Sequence, residues 1–319
     1  MKHNLKITIL LLGMFIITQF IGLLVLSADV FHLEAETSEG NIITVDNPYL
    51  SWIQPPEPQT QSESIGFLSS IIIAFIIAVF LLFLLTKLKV EFFLRLWFFS
   101  VIVIALFISF FALFKIIPFF SITPIIAVIL SLILAVILSY VKIYQRFFII
   151  HNFTELLIYP GISTIFVPIL NIYTILILLV LISIYDMWAV WHSGIMQKMA
   201  KYQIQKLNIF SGFFVPYLSK KQKDIVKKMK KSFSNKQLKK KKIKVNIAIL
   251  GGGDIVFPII TAGVMLNNLG IWPAVFVILG ATLGLSYLLF LAEKRKFYPA
   301  MPFITAGILL GIILSYLVM

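Results

Sequence analysis

Apolar residues run in blocks of about twenty along most of this chain, separated by short polar or charged stretches, and a hydrocarbon core about 30 Å thick needs a helix of that length. The blocks predict nine spans, at residues 5–27, 66–86, 92–113, 119–141, 148–170, 172–192, 245–266, 271–291 and 298–319. Stretches such as Ile71 to Leu85 and Ile172 to Ile184 are apolar nearly all round instead of alternating with polar residues, which excludes a transmembrane β-barrel. The fold class that follows is an all-α polytopic membrane protein with nine transmembrane helices. The segment from Trp52 to Pro58, with prolines at 55, 56 and 58, is too proline-rich for helix and reads as irregular surface chain. The two halves show no matching Gly/Pro-broken helices, so no inverted repeat of the transporter kind is evident.

With 60% hydrophobic and 13% charged residues among 319, the composition rules out a water-soluble globular protein. The net charge of +14 would suggest nucleic acid, but its distribution removes that reading. Residues 195–244 hold sixteen lysines and one acid, Asp224, for +15, while the rest of the chain sums to −1. A lysine-rich loop between two spans belongs on the cytoplasmic side, where it also faces anionic lipid headgroups. Flanking charge then orients the whole chain. Lys2 and Lys6, Lys87 with Lys89 and Arg95, Lys142 with Arg146, the lysine-rich loop, and Lys294 to Lys296 all fall inside under one alternating topology. Residues 29–64, with seven acids and no lysine or arginine, fall outside. The N-terminus is thereby cytoplasmic, the C-terminus outside, and the location a multi-pass cell (plasma) membrane protein. Lys115 alone breaks the pattern, as a lysine near a helix end can by snorkelling. Lys2 and Lys6 before an apolar run ending near Ser27 also resemble a signal peptide, but the run is too long for one, and the first span is expected to be retained. Three parts result: a six-helix bundle over 1–194, a lysine-rich loop over 195–244 and a three-helix unit over 245–319. Within the loop, Phe210 to Leu218 is apolar enough to lie on the inner membrane surface.

An aspartate inside a span costs roughly 2.5–3.5 kcal/mol on insertion scales, so each one needs a reason. Glu91, Glu155 and Glu293 lie near predicted helix ends and read as interfacial. Asp186, in the sixth span, and Asp254, in the seventh, lie deeper. Asp186 is twelve residues before the first lysine of the basic loop and Asp254 ten after the last, so at about 1.5 Å per helical residue both sit at similar heights. Two carboxyls brought together there cannot both ionise cheaply; one proton stays between them, giving a general acid and a general base in one pair. Gly251 and Gly253 clear space one turn around Asp254, and Pro258 cannot donate the helical hydrogen bond to the Asp254 carbonyl, so a bend is expected there. Pro299 and Pro302 at the start of the ninth span suit either an irregular cleft wall or ordinary helix initiation. Tyr185 either orients a carboxyl or anchors at the interface, and Trp188, Trp191 and His192 read as an interfacial belt. There is no cysteine, no HExxH and no GxSG context, so no metal site, cofactor, thiol or rhomboid-like serine centre is expected. The same two aspartates would also serve a proton- or cation-coupled transporter, or bond neighbouring helices in a membrane scaffold.

Tyr185-Asp186, Gly251-Gly252-Gly253-Asp254 and Pro299-Ala300-Met301-Pro302 stand in order on the sixth, seventh and ninth spans. In this the chain resembles the GxGD intramembrane aspartyl proteases, the presenilin and signal-peptide-peptidase superfamily, which carry Tyr-Asp, Gly-x-Gly-Asp and Pro-Ala-Leu on those helices. Met301 stands where that family has leucine, a residue of similar volume. The lysine-rich inside loop and Pro302 fit the presenilin branch, and the compact chain fits a prokaryotic, archaeal homologue. The resemblance implies a presenilin-like fold and an endopeptidase that cleaves transmembrane segments of membrane proteins, with Asp186 and Asp254 catalytic. It further implies that Tyr185, Gly251, Gly252, Gly253, Pro299, Ala300, Met301 and Pro302 form the surrounding motifs. Because a helical substrate hides its carbonyls in its own hydrogen bonds, it must unwind locally, and an extended segment can then be held by strand addition.

Overall fold

The structure, a computed structural model, describes residues 5–36, 42–88, 91–116, 123–145, 147–193, 211–217, 246–291 and 298–318. Lys2, Lys89, Arg146, most of the lysine-rich loop, Glu293 and Lys294 to Lys296 lie outside the described residues. Among those described there are nine α-helices: α1 Leu5–Ser27, α2 Gln61–Leu88, α3 Glu91–Ile116, α4 Pro124–Tyr140, α5 Phe148–Phe166, α6 Ile172–Trp188, α7 Gly253–Leu269, α8 Ile271–Leu291 and α9 Met301–Val318. Two antiparallel hairpins accompany them, β1 His32–Glu36 with β2 Ile42–Asp46, and β3 Gly212–Tyr217 with β4 Asn246–Gly251. Single π-helical turns extend α4 over Val141–Gln145 and α6 over Ala189–Ser193. Seven of the helices are long and apolar enough to cross a membrane; α5 and α7 are not among them.

Those two form the interior. In α5 the residues from Thr154 to Thr164 are buried on nearly every side, enclosed by α1, α3 and α7, and α7 is buried from Pro258 to Met265. A buried helix face can carry polar groups if each finds a partner, which explains why α5 holds His151, Asn152, Thr154 and Glu155 inward while Ile149 and Phe153 of the same stretch are exposed. Ser109 of α3 donates to the Leu157 carbonyl at 2.6 Å, and at Gly161 an added methyl would strike the Ala105 carbonyl, so α3 and α5 meet backbone to backbone. Helices α8 and α9 meet in the same way: Gly280 and Gly284 face the backbone of Gly307 and Phe303, and Gly311 faces Phe276. Asn171 and Thr174 close a reciprocal cap at the start of α6, their side-chain oxygens accepting from two N–H groups that a helix start leaves unpaired. Gly270, with φ at +91°, makes the tight turn between α7 and α8 that a side chain would strain.

Two expectations change. The seventh span does not begin at 245: residues 246–251 are a strand, and the helix starts at Gly253. Three consecutive glycines disfavour helix, and β4 gains a backbone partner in β3, part of the segment read as lying on the membrane surface. Glu155 is not interfacial but 1% exposed, ion-paired with Lys142, itself buried. Both charges leave water together because each is the other's partner. The first hairpin, β1–β2, was not anticipated. It packs at the same end as Lys115, whose ammonium donates to the carbonyls of Asp29 at 2.7 Å and His32 at 2.8 Å. That anchorage is a physical reason for the lysine that departs from the charge pattern expected from the sequence.

Candidate active site

Asp186 lies in the last turn of α6 and is buried, and its Oδ2 accepts the backbone N–H of Met301 at 3.0 Å. The Ala300 amide also faces this carboxyl. Met301 is the first residue of α9, so these are N–H groups that the helix itself cannot pair. Pro302, next in line, has no N–H to satisfy. Pro299 and Met301 are buried, Ala300 and Pro302 half-buried. One turn before Asp186, Ser183 donates to Thr305 of α9 at 2.8 Å, so α6 and α9 are tied twice. Thr305 carried no signal in the sequence, because a lone threonine in an apolar helix does not reveal whom it faces.

Asp254 is the second residue of α7, half-buried, with the backbone N–H of Gly251 directed at its carboxyl. It lies within electrostatic reach of Asp186, as α6 packs beside α7. The two aspartates of the motifs are thus brought together with the start of α9. The strand places Asp254 at a helix start rather than deep within a continuous helix. From α1, Gln19 donates to the Ile255 carbonyl at 3.0 Å and fixes that start.

The three glycines differ. A methyl on Gly251 would come 3.2 Å from Asp254 Oδ2 and crowd the carboxyl. On Gly252 it would meet Ser211 Oγ and the Tyr159 ring and hydroxyl, all at 2.9 Å. Gly253 has open space, with only Phe257 at 4.0 Å. The free position of the motif is therefore the tightest, and Gly253 clears room without a neighbour that requires it. Tyr185 packs its ring edge-on against Phe75 of α2 at 5.3 Å and lies near Trp188 at 6.4 Å, so it forms a wall beside Asp186.

The β3–β4 hairpin leads directly into Gly251. Phe214 uses both its backbone groups on the Asn152 side chain, its N–H at 3.2 Å and its carbonyl at 3.1 Å, and the Gly212 carbonyl accepts from His151 at 2.9 Å. The outer edge of β3 is therefore occupied by α5. Phe214 pairs with Ile249 and Gly212 with Gly251, so by antiparallel alternation the backbone groups of Ile247, Ile249 and Gly251 point away from β3. Pro216 falls at a position that needs no ladder N–H.

This arrangement is that of a membrane-embedded protein with two carboxyls within electrostatic reach of each other at helix ends, and comparison gives it a class. The family model for signal-peptide peptidase and presenilin aspartyl proteases matches residues 47–319, and the chain belongs to that family. It is accordingly an aspartyl protease, a hydrolase of the intramembrane kind. Two solved structures of a presenilin family intramembrane aspartate protease are similar in fold. The one in space group C222 has a TM-score of 0.60 at 16% identity, covering 98% of this chain and 99% of that one. The one in space group P2 has a TM-score of 0.57 at 17% identity, covering 97% of each. No curated protein matches the chain.

Proposed function

We propose that Asp186 and Asp254 are the catalytic pair of an endopeptidase that hydrolyses peptide bonds within transmembrane segments of membrane proteins. The observation that carries this is the junction of α6, α7 and the start of α9, where the two carboxyls come within electrostatic reach, each with backbone N–H groups directed at it. One aspartate, ionised, takes a proton from water as the oxygen attacks the scissile carbonyl carbon. The other, protonated, hydrogen-bonds the carbonyl oxygen and then gives its proton to the nitrogen as the C–N bond breaks. Nine helices cross the cell membrane in this reading, with the N-terminus cytoplasmic and the C-terminus outside.

The surrounding motifs take supporting roles. Gly251 keeps the Asp254 carboxyl uncrowded, Gly252 seats the turn against Tyr159 and Ser211, and Gly253 leaves an open approach. Pro299 to Pro302 deliver unpaired amides to Asp186, and Tyr185 walls the cleft. The backbone of Ile247 and Ile249 is the edge against which an unwound substrate segment pairs, since α5 occupies the other edge of the hairpin. The test is purified protein with a synthetic transmembrane peptide. Asp186→Asn and Asp254→Asn each lower cleavage by at least about 100-fold, the contribution expected of a general acid or base, while membrane insertion and melting are retained. Cleavage that survives either substitution refutes the pair.

A further inference from the structure

Behind the glycine turn lies a buried polar cluster that this reading does not use. The Lys142 ammonium has three protons and three acceptors: Glu155 Oε1, Thr154 Oγ1 at 3.3 Å and His151 Nδ1 at 3.5 Å. His151, accepting at Nδ1, carries its proton on Nε2, which faces the Gly212 carbonyl at the base of β3. Lys142 and Glu155 therefore compensate each other's charge and hold the end of β3 through His151. One turn further along α5, Tyr159 is 2% exposed, its ring edge-on to Phe213 of β3 at 6.1 Å. Its hydroxyl lies within electrostatic reach of Glu155 and Asp254 and, together with Ser211 Oγ, stands 2.9 Å from where a methyl on Gly252 would fall. Neither that hydroxyl nor Glu155 Oε2 attains full hydrogen-bond geometry, although both are buried. A phenylalanine would fill the same space without stranding a polar atom in the core. The hydroxyl must be explained by what it faces.

We propose that Tyr159 is a positioning residue for Asp254: its hydroxyl, aligned by the Lys142-compensated carboxylate of Glu155, bears on the Gly251–Gly253 turn and fixes the Asp254 carboxyl for catalysis. This rests on the assignment of Asp254 to the catalytic pair. The ring supplies packing and the hydroxyl supplies orientation, so removing the oxygen alone separates the two. Gly252 has no side chain because Tyr159 occupies that space. Glu155, four residues before Tyr159 on one face of α5, orients the hydroxyl, and Lys142 pairs with Glu155 within the protein.

The test uses the full-length chain in proteoliposomes with a synthetic transmembrane peptide, comparing Tyr159→Phe, the paired replacement Lys142→Met with Glu155→Met, the triple variant and Asp254→Asn. Tyr159→Phe lowers kcat about five- to tenfold with KM within twofold, displaces the pH profile of kcat, and leaves the melting temperature equal or higher. The paired replacement removes both charges together, so no ion is left buried alone, and it lowers kcat by a similar factor. In the triple variant the losses do not multiply, because all three residues act along one path. An unchanged kcat and pH profile in Tyr159→Phe overturns the proposal, as do losses that multiply or a fall in kcat matched by a fall in melting temperature. Cleavage by Asp254→Asn overturns the assignment of Asp254, and this proposal with it. An inactive Asp254→Asn beside an unaffected Tyr159→Phe overturns this proposal alone.

Discussion

Asp186 takes the N–H of Met301 across a helix boundary, and a hydrogen bond to a charged group is worth about 1.5–3 kcal/mol. Proline at a first helical position is structurally welcome but lacks that N–H. Met301→Pro therefore leaves α9 formed and, set beside Met301→Ala, which empties the same buried space but keeps the N–H, lowers kcat by a further factor of roughly 10 to 100 with the same peptide. A parallel argument applies to His32, outside the spans. Burial of its ring works against charge, but the hydrogen bond and charge of Asp29, joined by Glu57 and Asp46, hold the imidazole above its ordinary 6.5. A raised value in the folded state means that the stabilisation is complete below about 6.5 and fades as pH rises through the folded value. Wild-type protein accordingly melts at progressively lower temperature as pH climbs above about 6.5, and His32→Gln removes that dependence, as a melting series from pH 5.5 to 9 would show. The motif residues were legible because their chemistry is unusual in a membrane. Thr305, Gln19 and Tyr159 were not, because each takes its meaning from a partner far away in sequence.

Among helices, close approach is decided by glycine. The α8–α9 seam has Gly280, Gly284, Gly307 and Gly311 set backbone against backbone, so a side chain at Gly307 must separate the two helices. As α9 presents Met301 to Asp186, that separation reaches the candidate site. Gly307→Val costs roughly 1–3 kcal/mol or more in unfolding, whereas Gly13→Ala, with nothing within 4 Å of the added methyl, costs none. Thermal or denaturant unfolding in detergent distinguishes them. The apolar pattern foretold each helix, yet it misread the start of α7. Hydropathy counts β4 as membrane helix because Ile247, Ala248, Ile249 and Leu250 are apolar, and only the pairing with β3 makes it a strand.

At the scale of the whole molecule, the helices sort by what surrounds them. α2 is the most exposed, packing beside α6, while α5 and α7 are enclosed. Lipid accepts only apolar faces, so polar residues are tolerated against the enclosed helices, where Asp254 of α7 has Asp186 of α6 beside it and Glu155 of α5 meets Lys142 from the turn after α4. Glu155→Ala, leaving Lys142 buried without its counter-ion, is expected to destabilise the fold by about 3–5 kcal/mol, and adding Lys142→Met restores most of it. The comparison of melting temperatures between single and double variants checks this.

The sequence by itself determined that the chain is a helical membrane protein, and it marked Asp186 and Asp254 as the carboxyls needing explanation, because an ion in a long apolar run is expensive wherever that run folds. Its short motifs also pointed to the family. Tertiary structure decided the rest: that Gly251 ends a strand, that Asp186 pairs with the start of α9, that Glu155 faces Lys142 instead of water. These are contacts between residues as many as 115 positions apart, as in Asp186 with Met301, and no local pattern of apolar and polar positions encodes which distant backbone a side chain will meet.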